Sequence, residues 1–290
     1  MQRLDSNSVP DTFAPKAEQQ RRTNAFFEAS APHWNDIYSS SDTDSLVYRD
    51  RRSMVLAMAR RLCLPVEWPL LEIGCGAGYA SVALAEDGYT VHAIDSVDAM
   101  IAQTRQHAED AHVAGRVITS IRDVHDLGFP DGMFNLVLKV GVAPWVHSLD
   151  KAMREVARVL RPGGYLIATA DNWSRLHFWL DPRYFPPFGP IRKGIRSLME
   201  SVGLLDPKEP SACLHSIKEF DAYISAAGLE KVEGRTVGFG PFSFLGHTIL
   251  PDSYGNRMHH WLQSQADRGV PVIRNAGSHY VVLARKAETQ

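Results

Sequence analysis

The chain has 290 residues, a formal net charge of −2 at pH 7, 44% hydrophobic residues and 22% charged residues. That balance excludes a disordered chain and leaves one large domain or two small ones, either able to bury a sizeable core. Near-neutral charge does not by itself exclude nucleic acid, but the basic excess or stripe that phosphate contacts demand is missing, so none is expected as a partner.

Residues 1–22 are rich in Ser, Asp, Gln and Arg without a hydrophobic period, and a flexible tail is expected there. With Asp5, Asp11 and Glu18 and no apolar run, this stretch does not read as a secretory signal. A helical cap is expected over 23–68, where Met54, Val55, Met58 and Leu62 form one face of a helix from Ser45 to Leu62.

From Pro69 short apolar runs alternate with helical segments, and the rest of the chain, 69–290, is expected to be one domain. Pro69–Ile73 and Tyr89–Ile94 read as strands around a helix over Tyr79–Ala85, and Val97, Met100, Ile101 and Thr104 mark a second helix. Val117–Ile121 and Phe134–Val140 read as further strands, and Met153, Val156, Ala157 and Leu160 line a helix. Arg161-Pro162-Gly163-Gly164 stops that helix, and Tyr165–Ala170 is the fifth strand. Strands separated by helices predict an α/β fold with a parallel, doubly wound sheet. Over about 173–215 the alternation gives way to aromatic and Pro-rich sequence, expected to be a substrate lid inserted over the sheet. Ser216 and Glu219 form a capping box opening a helix that ends at Gly228. A hairpin-like pair follows, Lys231–Val237 and His279–Ala284, with a long connection between them.

Gly74-Cys75-Gly76-Ala77-Gly78 lies between the first strand and the first helix, where glycines let the backbone turn sharply and let a cofactor approach N–H groups at a helix N-terminus. Asp95 ends the second strand, placed to accept both hydroxyls of a ribose. A dinucleotide turn of the form G-x-G-x-x-G would need glycine where Tyr79 stands, which argues against a nicotinamide oxidoreductase. Here the chain resembles the class I S-adenosylmethionine-dependent methyltransferases of the small-molecule type. The resemblance is carried by Leu71–Gly78, Ala93–Met100, Asp123–Phe134 and Val159–Gly164, in the family's order over residues 70–170. Asn135 stands where the family often has Asp.

The resemblance implies a Rossmann-like, seven-stranded, mostly parallel sheet with helices on both faces and an antiparallel last strand. It implies S-adenosyl-L-methionine as cofactor, with Gly74, Cys75, Gly76 and Gly78 against its methionine part and Glu72 orienting the loop. Asp95 would hold the ribose, Ser96 or Val97 would flank the adenine, Asp123 and Val124 would meet the adenine edge, and Lys139 would lie near the amino acid end. His147 is the candidate general base, an imidazole that titrates near neutrality, with packing against the next helix as its other role. His33, Trp34 and Tyr38 are candidates to line the acceptor site, although Trp34 and Tyr38 are also spaced as a simple i, i+4 pair on a helix. Trp179, Tyr184 and Phe185 of the insertion are candidates for an apolar acceptor pocket, with Arg183, Arg192, Lys193 or Arg196 meeting an anionic group.

No metal is expected: there is no C-x-x-C pair, and adjacent His259 and His260 face different directions on a helix. Cys63, Cys75 and Cys213 are too few and scattered for a disulfide framework, and no run is long enough to span a bilayer, so a cytoplasmic protein is expected. The expected activity is transfer of a methyl group to a small-molecule acceptor, oxygen favoured. An N- or C-methyltransferase and a non-catalytic S-adenosylmethionine-binding regulator are the alternatives.

Overall fold

The computed structural model describes residues 16–38, 40–181, 194, 212–245 and 247–288. Two helices precede the sheet, α1 (Lys16–Asp36) and α2 (Thr43–Arg61). α1 starts inside the stretch expected to be a tail, and Glu18 pairs there with Arg21 and Arg22 one turn on, local support that hydrophobic periodicity does not register. α2 is capped by Asp42, whose carboxylate accepts the Ser45 N–H at 2.8 Å, and it buries Val55, Leu56, Met58 and Ala59.

The alternating region then runs β1 (Leu70–Ile73), α3 (Tyr79–Glu86), β2 (Val91–Asp95), α4 (Asp98–Asp110), β3 (Val117–Ile121), β4 (Phe134–Lys139), α5 (Leu149–Val159) and β5 (Leu160–Asp171). α6 (Leu176–Leu180) and α7 (Ile217–Ala226) follow, then β6 (Leu229–Val237), a small hairpin of β7 (Ser243–Phe244) and β8 (His247–Thr248), α8 (Asp252–Asp267) and β9 (His279–Lys286). Seven strands form one sheet in the order β3-β2-β1-β4-β5-β9-β6, with β9 antiparallel to both neighbours and the other neighbouring pairs parallel. The architecture is the doubly wound α/β sheet expected from the sequence, last strand included.

Alternation along the strands divides the core. Leu71, Val137, Ala168 and Val282 pack against α5 and α7, whereas Leu70, Leu136, Leu138, Ile167 and Val281 pack against α2 and α3. Both faces are covered, which is why the strands read as continuous apolar runs. Strand order reverses between β1 and β4, and in open α/β sheets ligands bind beyond the carboxyl ends at such a switch point. The chain leaves the sheet at Asn172 and returns at His215, which bridges back to Asn172, so the excursion expected as a lid starts and ends at that same edge. Tyr184 and Phe185, with Arg183, Arg192, Lys193 and Arg196, lie outside the described residues. Among the described residues no helix is long and apolar enough to cross a membrane.

Candidate functional site

Beyond β1 the backbone passes through Gly74, Gly76 and Gly78 at φ of +68°, +55° and +79°, the left-handed region that glycine adopts freely. The N–H groups of Gly74 and Cys75 donate to the Ile94 carbonyl at 2.8 and 3.0 Å, fastening the turn to the end of β2. From behind, the Thr104 hydroxyl of α4 donates to the Gly76 carbonyl at 2.8 Å, and His107 Nδ1 lies 2.7 Å from the Ala77 carbonyl. A Cβ at Gly74 would strike Val142 and one at Gly78 would lie 2.7 Å from Thr104, but one at Gly76 would meet nothing within 4 Å. The turn is thus closed on two sides and open at Gly76. Cys75 is buried with Sγ 3.4 Å from Thr104 Oγ1, and burial pushes its thiol up, so it packs as a small uncharged residue.

Two carboxylates brace the turn. Glu72 is buried beneath it and accepts the Ser81 hydroxyl, tying β1 to α3; burial raises its carboxyl to about 7. Asp95 accepts the Gly76 N–H on one oxygen and the Val97 N–H on the other, each at 3.1 Å. Burial pushes its carboxyl up against the opposing pull of those N–H groups. Ser96 exchanges hydrogen bonds with Asn24 of α1, hydroxyl to Asn24 Oδ1 at 3.0 Å and Asn24 Nδ2 to the Ser96 carbonyl at 3.2 Å, so the cap docks on the end of β2.

At the end of β3, Asp123 accepts His125 Nδ1–H at 2.6 Å, which with the His125 backbone N–H holds its carboxyl down at about 2. Val124 beside it is buried. His147 stacks on His125 with ring centroids 3.6 Å apart, and His125 Nε2 accepts the Ser148 N–H that opens α5. The structure therefore groups the candidate base with the Asp123 end of the sheet.

Lys139 pairs with Ile73 in the sheet, one residue before the glycine turn, but alternation puts its side chain on the face of Val137, under α5. Its backbone lies beside the last residue of β1, and its side chain turns to the α5 side of the sheet. It is fully buried, Nζ has no hydrogen-bond partner among the described residues, and burial lowers its pKa to about 7. In the unfolded chain the amine keeps its proton up to about 10.5, so between the two values the unfolded state binds more protons and stability rises with pH through this residue. Lys139→Met is expected to remove that rise, which denaturant unfolding of both proteins between about pH 7 and 10 checks. Parallel profiles would show that the buried amine holds its proton normally.

The cap residues separate. Trp34 packs on Phe27 and, at 5.7 Å, on Tyr48 of α2, while Tyr38 packs on Tyr79 at 4.8 Å with Arg52 over both rings. They are not a helical i, i+4 pair, because α1 ends at Asp36 and the two rings turn to different partners. His33 is exposed beside Trp34, and Trp179 is half exposed on α6.

Sequence reading missed a polar cluster on the α2 side of the β4 and β5 ends: Tyr48, Arg51, Asp171, Arg175 and His279. Asp171 and His279 are paired across β5 and β9, and His279 Nδ1 lies 3.2 Å from Asp171 Oδ1, with Arg175 3.6 Å from the other oxygen. Burial alone would raise the Asp171 carboxyl, yet the hydrogen bond from His279 and the charges of Arg175 and Arg51 hold it well below the usual range. Burial, with Arg51 nearby, lowers His279, so the imidazole is neutral at pH 7 and its proton sits on Nδ1, facing the carboxylate. That leaves Nε2 as a proton acceptor, the orientation of a carboxylate-held general base. No short motif announces this cluster, since its members come from positions 48, 51, 171, 175 and 279.

His259 is fully buried: Nδ1 lies 3.1 Å from the Phe239 backbone and Nε2 2.7 Å from Asp50. His260 completes a group within 4.8 Å, but the ring nitrogens of His259 are already used as a polar strut between α2 and α8.

Residues 71–168 match the family described as a methyltransferase domain. The chain is 30% identical over 167 residues to 2-methyl-6-phytyl-1,4-hydroquinone methyltransferase of Synechocystis, covering 51% of this chain and 50% of that one. It is 29% identical over 140 residues to malonyl-(acyl-carrier protein) O-methyltransferase of Serratia marcescens, covering 48% and 51%. The chain thus spans about half the length of these curated relatives. Among solved structures, the (4+2)-cyclase SpnF superposes with a TM-score of 0.59 at 18% identity over 95% of this chain and 98% of that one. Magnesium protoporphyrin IX methyltransferase of Synechocystis superposes with a TM-score of 0.59 at 14% identity over 93% and 100%. These last two are likenesses of fold. Residues 71–168 thus carry a methyltransferase domain, and over this part the chain is similar to enzymes named as methyltransferases.

Proposed function

We propose that the chain binds S-adenosylmethionine on the Gly74–Gly78 turn and passes its methyl group to a small-molecule acceptor, oxygen by preference. The observation that carries this is the opening at Gly76, the one glycine of the turn whose missing side chain leaves free space, directly beside the Asp95 carboxylate. The residues fit the cofactor: N–H groups and a helix start for its amino acid end, a carboxylate for two ribose hydroxyls, and Asp123 and Val124 for the adenine edge. When bound, the cofactor supplies a methyl group on a sulfonium, an electrophile that needs no further activation.

The protein's part is then positional, worth up to several kcal/mol of barrier when nucleophile, methyl and sulfur are held in line. Glu72 and Asp95 fix the turn, and α1 docks at the neighbouring end of β2 through Asn24 and Ser96. Oxygen is favoured because an O-methyltransferase stands among the relatives and because the site holds imidazoles able to take a hydroxyl proton. Free Cys63, Cys75 and Cys213 suit a reducing cytoplasm.

Calorimetry with S-adenosylhomocysteine and with nicotinamide dinucleotides tests the cofactor. Binding of the first alone is expected, and ordinary affinity for the second would sink the assignment. Binding without product from any oxygen, nitrogen or carbon acceptor would favour the non-catalytic alternative. His147 remains the base proposed from the family pattern, and the neutral His279 held by Asp171 is a second candidate that the geometry favours. His147→Ala and His279→Gln separate them: the base is the residue whose loss lowers turnover by about 10²-fold or more while S-adenosylhomocysteine affinity holds. If neither does so, the acceptor ionises unaided.

A further inference from the structure

Arg51 is 6% exposed, and its guanidinium makes no hydrogen bond to any described residue. One face of the guanidinium lies over the Tyr48 ring at 4.8 Å. A Cβ at Gly141 would sit 3.4 Å from both terminal nitrogens, so the glycine leaves room for the guanidinium to lie against the end of β4. The next residue, Val142, is the one that closes on Gly74, which places Arg51 immediately beyond the cofactor turn on the acceptor side. The guanidinium is thus held almost wholly in the interior, with its Nε–H buried and unmet, where an unmet donor is costly.

No described residue serves as an internal partner. Asp171 is engaged by His279 and Arg175, Asp44 is a second carboxylate near Tyr48 and Arg175, and both lie outside ion-pair distance of Arg51. Resting on the methyltransferase reading above, we propose that Arg51 anchors a carboxylate of the methyl acceptor, gripped in the plane of its guanidinium beside Gly141. The planar fork matches two carboxylate oxygens, whereas a tetrahedral phosphate would call for donors from more directions than this one side chain supplies. Tyr48 is the positioning residue: its ring fixes the plane of the guanidinium without touching the anion. The basic residues of the excursion after β5 are then not needed to recognise the charge.

The test is a titration followed by NMR on the Nε–H resonance of Arg51, assigned by its loss in Arg51→Lys. Acetate and benzoate are expected to move that resonance saturably, and benzamide, the neutral isostere of benzoate, is expected to leave it in place. Arg51→Met should weaken benzoate binding by about tenfold or more, with Arg51→Lys intermediate because an ammonium cannot grip both oxygens. A resonance unmoved by either carboxylate, or moved equally by benzamide, would overturn the proposal. Movement by inorganic phosphate alone would overturn the choice of carboxylate. S-adenosylhomocysteine binding is titrated separately on the same samples, so a failure of the cofactor reading shows there and not in the anion arm.

Discussion

Asp95→Ala is expected to lower affinity for S-adenosylhomocysteine by at least about tenfold, the size of one charge-assisted hydrogen bond at its lower limit. One observed role and one proposed role meet in this side chain. Its carboxylate accepts the N–H groups of Gly76 and Val97, holding the turn to the first residues beyond β2. It is also the group at that strand end proposed to accept ribose hydroxyls. Alanine leaves two backbone N–H groups without their acceptor and two ligand hydroxyls facing a site built to receive them. Leaving donors unsatisfied is costlier than never having built the bond, so the loss exceeds what a missing surface contact would give. Calorimetry reads it directly, and thermal unfolding without ligand separates the two functions. Affinity that falls with an unchanged Tm places the effect on the ligand; unchanged affinity refutes the ribose role.

The sequence discloses this part of the site because it is local. A strand, three glycines, a helix start and an acidic strand end all lie between Leu70 and Asp95, and each has a backbone reason to be where it is. The sheet is legible for the same reason, since strands covered on both faces are short apolar runs between helices. The acceptor side is not local. Arg51 stands among Arg49, Asp50 and Arg52, where it reads as one more polar residue of an amphipathic helix, and only the packing of α2 on the sheet buries it. Asp171 and His279 are 108 residues apart and meet through the antiparallel register of β5 and β9. α8 escapes sequence reading differently: Tyr254, Met258 and Trp261 are exposed while His259 is buried, so its polarity pattern runs against its environment.

Alanine at Gly74 and at Gly76 is expected to give opposite outcomes, although the two glycines are separated by one residue. Both sit at positive φ, so each substitution brings about 1–2 kcal/mol of backbone strain. At Gly74 the new methyl also strikes Val142, which must move away from the turn and takes Gly141 with it. The Gly74 variant is therefore expected to lose stability by about 2 kcal/mol or more, a drop of several degrees in Tm. At Gly76 nothing stands within 4 Å of the added carbon, so the strain is the whole cost to the fold and the Tm falls less. The methyl instead fills the space against which the cofactor is proposed to lie, and S-adenosylhomocysteine affinity is expected to fall by more than about tenfold through lost close approach. Thermal unfolding and calorimetry on the two variants check this together. If the Gly76 variant binds S-adenosylhomocysteine as the parent does, the opening in the turn is not the cofactor cradle. A Gly76 variant that is instead as unstable as the Gly74 variant would show that the turn is held by conformational strain alone, and that Val142 yields to a methyl group without resistance.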